Sequence, residues 1–138
     1  MADNRAGVLQ AALEACIRGD AAALPQYFTD DVSGWSPNMM VTSLTDLSET
    51  IADREDALSE VDIEIGAVDV FGDKGVVEYR VSAVFSGPFV ITDDVVIEPN
   101  GRKLLLGAAL VAEFTGNRIS AFRNYFDDAT LMEQMLTA

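Results

Sequence analysis

The apolar residues of this chain change period once, close to residue 60, and that change restricts the folds open to it. Before it, apolar side chains recur every three or four residues. Val8, Leu9, Ala12, Leu13, Cys16 and Ile17 share one side of a helix that Gly19 ends. Asp20 is placed to cap a second, short helix over "AAALPQYF", where Pro25 marks a first turn or a break. "TDDVSGWSPNMMVTS" is turn-rich and predicts a short strand followed by a loop. A third helix fits residues 43 to 58, with Ser43 and Asp46 at capping-box spacing and Leu44, Leu47, Ile51 and Leu58 on one side.

After it, the period is two. Val61, Ile63, Ile65 and Ala67 alternate with polar residues or glycine until the apolar set moves to Val68 and Val70, a parity shift that predicts a β-bulge near Gly66. "FGDKG" is a turn, and the next strand sets Val77, Tyr79, Val81, Ala83 and Phe85 against Glu78, Arg80 and Ser82. Residues 86 to 102 read as a long excursion ending in a turn at Asn100 and Gly101. "KLLLGAALVAEF" is apolar on both faces, as a covered central strand would be, and "RISAFRNYF" and the helical "ATLMEQML" follow. Helices, then an antiparallel meander, then a terminal helix predict an α+β domain with helices on one face of a curved sheet. With 138 residues and no repeat, low-complexity tract or linker, a single domain over 1–138 is expected. Helices that cannot fill the concave side of such a sheet leave a cavity of the kind that binds small molecules.

The sequence contains no histidine, which removes His-based nucleophilic catalysis and the usual zinc and non-haem iron ligand sets. Proton transfer would fall to Asp, Glu, Tyr or Lys. Twenty-three acids against nine bases give a net charge of −14, which repels phosphate backbones and anionic lipid, so neither nucleic acid nor a membrane is an expected partner. The single Cys16 excludes an internal disulfide and reads as a buried, inert thiol. The first ten residues lack a basic segment followed by an apolar stretch, so the expected location is cytoplasmic.

The chemistry-bearing residues cluster at strand ends. Asp127 and Asp128 follow Tyr125 and Phe126 where the last strand gives way to a helix. An acid turned into an apolar cavity would have a raised pKa suited to proton shuttling, and an acid capping the helix would have a lowered one; both readings are open. Asn124 shares a face with Phe126 and offers a donor and an acceptor, while Phe122 belongs to the same strand. Arg80 reads either as part of a solvated face or as an oxyanion contact inside the cavity. Tyr79 and Arg80 cannot both point inward from a regular strand. Trp35, Met39 and Met40 could form an adaptable apolar lining, or could simply fill the core.

"RGDAAALPQYFTDDV", "VVEYRVSAVFSGPF", "EPNGRKLLLGAALVAEFTGNRISAFRNYFD" and the closing "LMEQML" together resemble the SnoaL-like branch of the superfamily named after nuclear transport factor 2. The resemblance implies a cone-shaped α+β barrel, with a curved, mostly antiparallel sheet, N-terminal helices on its concave face and a short C-terminal helix. For the ester-cyclase members it implies that Asp127 takes a proton from an activated carbon of a polyketide-like ester, without metal or cofactor. Asn124 and Arg80 would contact ligand oxygens, and Trp35, Met40, Tyr79, Phe122 and Phe126 would line the pocket. Against the epoxide-hydrolase members, Asn124 and Ser82 stand where two acids are expected, which argues against epoxide opening. A ligand-binding or accessory module on the same cone is the alternative, and a homodimer through the convex face is compatible with either.

Overall fold

The computed structural model describes residues 4–137. Helix α1 (Arg5–Arg18) and a 3-10 helix (Ala21–Gln26) lead into strand β1 (Phe28–Ser36), which turns back as β2 (Met39–Val41) before helix α2 (Leu44–Asp53). Strands β3 (Leu58–Phe71) and β4 (Lys74–Phe85) form a long hairpin, followed by the small hairpin β5 (Phe89–Thr92) and β6 (Val95–Ile97). Strands β7 (Lys103–Thr115) and β8 (Arg118–Phe126) and helix α3 (Asp128–Leu136) complete the order. The main sheet runs β2-β1-β8-β7-β4-β3, and β5 and β6 pair only with each other. All its pairings are antiparallel except β1 with β8. This is the α+β cone expected from the sequence.

Local chemistry explains where the elements begin and end. Gly19 closes α1 with φ 76°, a left-handed conformation natural to glycine, and its N–H returns to the carbonyls of Ala15 and Cys16. Ser43 Oγ accepts from Asp46 N at 3.0 Å, and Asp46 Oδ2 in turn accepts from both Thr42 N and Thr42 Oγ1. The reciprocal cap therefore reaches one residue further back than a capping box. Asp20, expected as a cap, stands at the N-cap of the 3-10 helix without a side-chain hydrogen bond.

Three boundaries differ from the expectations. Helix α2 stops at Asp53, and Leu58, expected on that helix, opens β3 opposite Phe85. Residues 28–41 form a hairpin pairing Trp35 with Met40, where a short strand and a loop were expected. The excursion over 86–102 contains the β5–β6 hairpin. The ladder between β3 and β4 shifts register between Ile65 and Val68, at the bulge expected near Gly66, and again between Ser59 and Asp62. Glu60 sits at that second interruption with φ 50°, a left-handed backbone unusual for a side chain of its size.

Two apolar clusters hold the layers together. Leu9, Ala12 and Leu13 of α1 belong to one cluster with Val77, Ala112, Phe114 and Ile119 of the concave sheet face. Phe85 and Leu104 form the other with Phe89 and Ile97 of the small hairpin and Leu131 and Met135 of α3. β7 lies centrally as expected, but its outer face is uncovered in the single chain, with Leu105 61% exposed. Strand β8 ends opposite Ala108, and the Gln134 amide takes over the vacated ladder position. It accepts from Leu105 N at 2.8 Å and donates to Leu105 O at 2.9 Å.

Leu9→Ala should remove about 2–5 kcal/mol, the usual range for a fully buried leucine with a residual cavity. Gln134→Ala should remove only about 1 kcal/mol, since water can reach the released backbone groups. Urea unfolding of the two variants checks both values and their order.

Candidate functional site

A cavity of about 200 Å³ lies inside the cone, lined by members of both apolar clusters. Register decides which strand residues face it. Tyr79 on β4 is opposite Ala108 on β7, which is opposite Phe126 on β8; Leu110 is opposite Asn124. The small Ala108 lets the Tyr79 phenol cross β7 diagonally and donate to Asn124 Oδ1 at 2.8 Å. No other hydrogen bond is formed by the Asn124 side chain among the described residues, so its amide N–H groups can serve a ligand. Burial is the main influence on Tyr79, partly offset by the Asn124 hydrogen bond, and it pushes the phenol up to about 12.

The residues expected at the site divide between inside and outside. Tyr79, Phe122, Asn124 and Phe126 line the cavity together. Arg80 faces the other side of the sheet: its side chain is 81% exposed and lies 3.8 Å from Glu64. Trp35 and Met40 are corrected in the same way, because strand parity turns both outward. Met40 is 75% exposed, and Trp35 packs on Tyr125 with ring centroids 5.5 Å apart, while the neighbouring Met39 lines the cavity.

Asp127, expected to turn an acid into the cavity, is exposed at the N-cap of α3. It accepts from Thr130 N at 3.2 Å and Thr130 Oγ1 at 2.8 Å. Those hydrogen bonds, led by that of the threonine hydroxyl, hold its carboxyl below the usual value. Asp128, the first residue of the helix, has its Oδ1 buried without a hydrogen-bond partner but does not line the cavity.

The lining also contains polar residues that the sequence reading did not single out: Ser36, Asn38 and Arg54. Arg54 Nε donates to Val90 O at 2.9 Å, Nη2 to Asn38 O at 2.9 Å and Nη1 to Asn38 Oδ1 at 3.3 Å. Its guanidinium also stacks 4.4 Å from the centroid of Phe89. Burial lowers its pKa, while the charges of Asp53 and Asp128 act the other way. A signal was present in the sequence: Arg54 follows Leu47 by seven residues and Ile51 by three, on the apolar side of its helix. Cys16 faces the cavity too, and burial pushes its thiol up to about 12. The ionisable groups of the described lining are therefore a protonated thiol, a protonated phenol and a guanidinium, which can donate and orient near neutral pH. Among the described residues no group of three or more His, Cys, Asp or Glu is arranged to hold a metal ion.

Two outcomes follow. Asp127 should titrate below the ~3.9 of a free aspartate. Because its folded-state pKa is depressed, the stabilisation it gives is present above the unfolded value and lost as pH falls through the folded one. Carboxyl-detected NMR, with Asp127→Asn for assignment, reads this directly. Of the three tyrosines, Tyr79 should ionise near 12, and Tyr79→Phe should delete that step from an ultraviolet pH titration.

Comparison with known proteins supplies the affiliation. Residues 9–128 match the family model described as a SnoaL-like domain. No curated protein matches the sequence significantly. Among solved structures, a protein proposed to be a SnoaL-like polyketide cyclase from Jannaschia sp. CCS1 superposes with a TM-score of 0.82 at 14% identity, covering 97% of this chain and 92% of that one. An NTF2-like protein of unknown function from Burkholderia pseudomallei K96243 gives 0.76 at 17% identity, covering 99% and 100%. A limonene-epoxide-hydrolase-like epoxide hydrolase from Mycobacterium tuberculosis gives 0.71 at 14% identity, covering 96% and 89%. At such identities the structures share a fold, and the family match gives the conclusion: the chain belongs to the SnoaL-like domain family.

Proposed function

We propose that this protein binds a compact, mostly apolar, oxygenated small molecule inside its cone, with polyketide-like fragments among the candidates. The observation that carries the reading is the Tyr79–Asn124 pair set in an otherwise largely apolar cavity. Rings and aliphatic side chains would hold the body of the ligand, and the Asn124 amide and the phenol oxygen would fix one of its oxygens. A volume of about 200 Å³, below the roughly 300–1,000 Å³ of common ligand sites, favours a small occupant.

Binding is favoured over catalysis by Asp127, because an exposed helix cap with a lowered pKa is poorly suited to proton shuttling in the cone. One observation favours an enzyme: the buried, unpartnered Oδ1 of Asp128, a carboxylate oxygen in need of a donor. Under that second reading the ligand would extend past the described lining to Asp128, which would take a proton from a carbon beside a carbonyl. Deuterium exchange into 2-octanone would then be accelerated by the native protein and by Asp127→Asn, and not by Asp128→Asn.

The uncovered outer face of the sheet, where Trp35, Met40, Tyr125 and Leu105 are exposed, supports assembly with a second copy as a homodimer. The net charge of −14 disfavours nucleic acid and anionic membranes as partners. Among the described residues no helix is long and apolar enough to cross a membrane.

Ligand-observed NMR with 1-octanol tests the binding reading. The native protein should give saturation transfer, and Ala83→Phe, which places a ring in the cavity wall, should abolish it while keeping the native circular dichroism. Equal transfer in both proteins would put the alcohol elsewhere and sink the reading.

A further inference from the structure

We infer that Arg54 is the anchor for a carboxylate group on the ligand, so that the cone takes small apolar carboxylic acids in their ionised form. This rests on the binding reading above and adds the chemical class of the ligand. Arg54 stands at the C-terminal end of α2, and it is the one charged residue of the described cavity lining. Its three hydrogen bonds all go to neutral acceptors, and one further N–H on each terminal nitrogen is left over. Among the described residues no carboxylate lies within ion-pair distance of it. Asp53 and Asp128 act on it only through space, so a ligand carboxylate touching the guanidinium would be the nearest negative charge.

The groups beside Arg54 sharpen the choice of ligand. Asn38 Oδ1 is occupied, accepting from Ser36 Oγ at 3.0 Å and from Arg54, and the carbonyls of Asn38 and Val90 are taken by Arg54. The Asn38 side-chain amide donates to none of the described residues and also belongs to the lining. This end of the cavity therefore presents spare donors, while each of these acceptors already holds at least one hydrogen bond. An ionised carboxylate, which accepts at both oxygens and donates nothing, fits that inventory better than a hydroxyl, which needs an acceptor as well. The arrangement is rigid on three sides. Arg54 ties the β1–β2 turn to the β5–β6 hairpin, and the Phe89 ring flanks the guanidinium. The rest of the molecule cannot supply the attraction, because a surface carrying a net −14 repels anions.

Calorimetric titration with octanoate and with 1-octanol tests the inference on the intact chain. Without a local cation, the carboxylate loses more hydration than the alcohol on entering the cavity and binds more weakly. The expected result is octanoate binding about tenfold or more tighter than 1-octanol, as a charge-assisted contact provides. Arg54→Met should reverse that preference, leaving 1-octanol within about twofold of its native affinity. Octanol binding as tightly as octanoate to the native protein overturns the inference while the cavity reading survives. Equal losses for both probes in Arg54→Met would make Arg54 a clasp between loops, with the same consequence. Neither probe binding the native protein would overturn the cavity reading and this inference together. Should Arg54→Met fail to fold, the ratio of the two affinities on the native protein decides.

Discussion

The β3–β4 ladder is interrupted twice, and both interruptions fall where the sheet has to bend away from flatness. A flat sheet of this composition would close on α1 as a two-layer sandwich without internal space. The bends instead let the far ends of β4 and β7 curl towards α3 and the small hairpin, so the core divides into two clusters with room between them. Curvature costs regular pairing, and the left-handed Glu60 is one visible sign of that cost. The cavity, the two core clusters and the inward reach of Tyr79 all depend on that bend.

Inside the cavity, small residues matter as much as large ones. Tyr79 reaches Asn124 because the intervening strand offers only the methyl of Ala108 at that level. Gly34 does the same for Phe122: a Cβ there would collide with the phenyl ring that forms part of the wall. These positions buffer aromatic side chains that would otherwise have to leave their rotamers or the wall. The exterior contributes nothing comparable. Its net charge of −14 makes the one cation of the described lining an isolated feature.

Much of the architecture could be read from hydrophobic periodicity, and the reasons for the misses are local. In β4 strict alternation placed Tyr79 and Arg80 on opposite faces, and the structure turns Tyr79 inward. In β1 the parity of Trp35 was equally fixed, but its sign depended on the pairing with β2 and β8, which sequence alone does not reveal. The β5–β6 hairpin escaped because its strands are four and three residues long, too short to display a period. Arg54 escaped because attention to apolar spacing passes over a charged residue that completes an apolar stripe, although its stem and stacked guanidinium suit that position.

The two acids after Phe126 mark the limit of that method most clearly. Alternation assigns faces only while the chain remains in the strand, and β8 ends at Phe126. From there the orientation of each side chain is set by the helix that follows. Its first N–H groups need an acceptor, and Asp127, in extended backbone geometry immediately before it, is the residue that can provide one. Once Asp127 is committed to Thr130, the next residue has begun the helical turn. Asp128 Oδ1 is carried into the protein, where none of the described groups donates to it. The demand for a cap thus leaves each acid on the side that continued alternation would give it, Asp127 with the exposed Tyr125 and Asp128 with the inward Phe126. It leaves outside the acid that the family pattern would place in the cone, and buries one carboxylate oxygen of its neighbour short of the cavity lining.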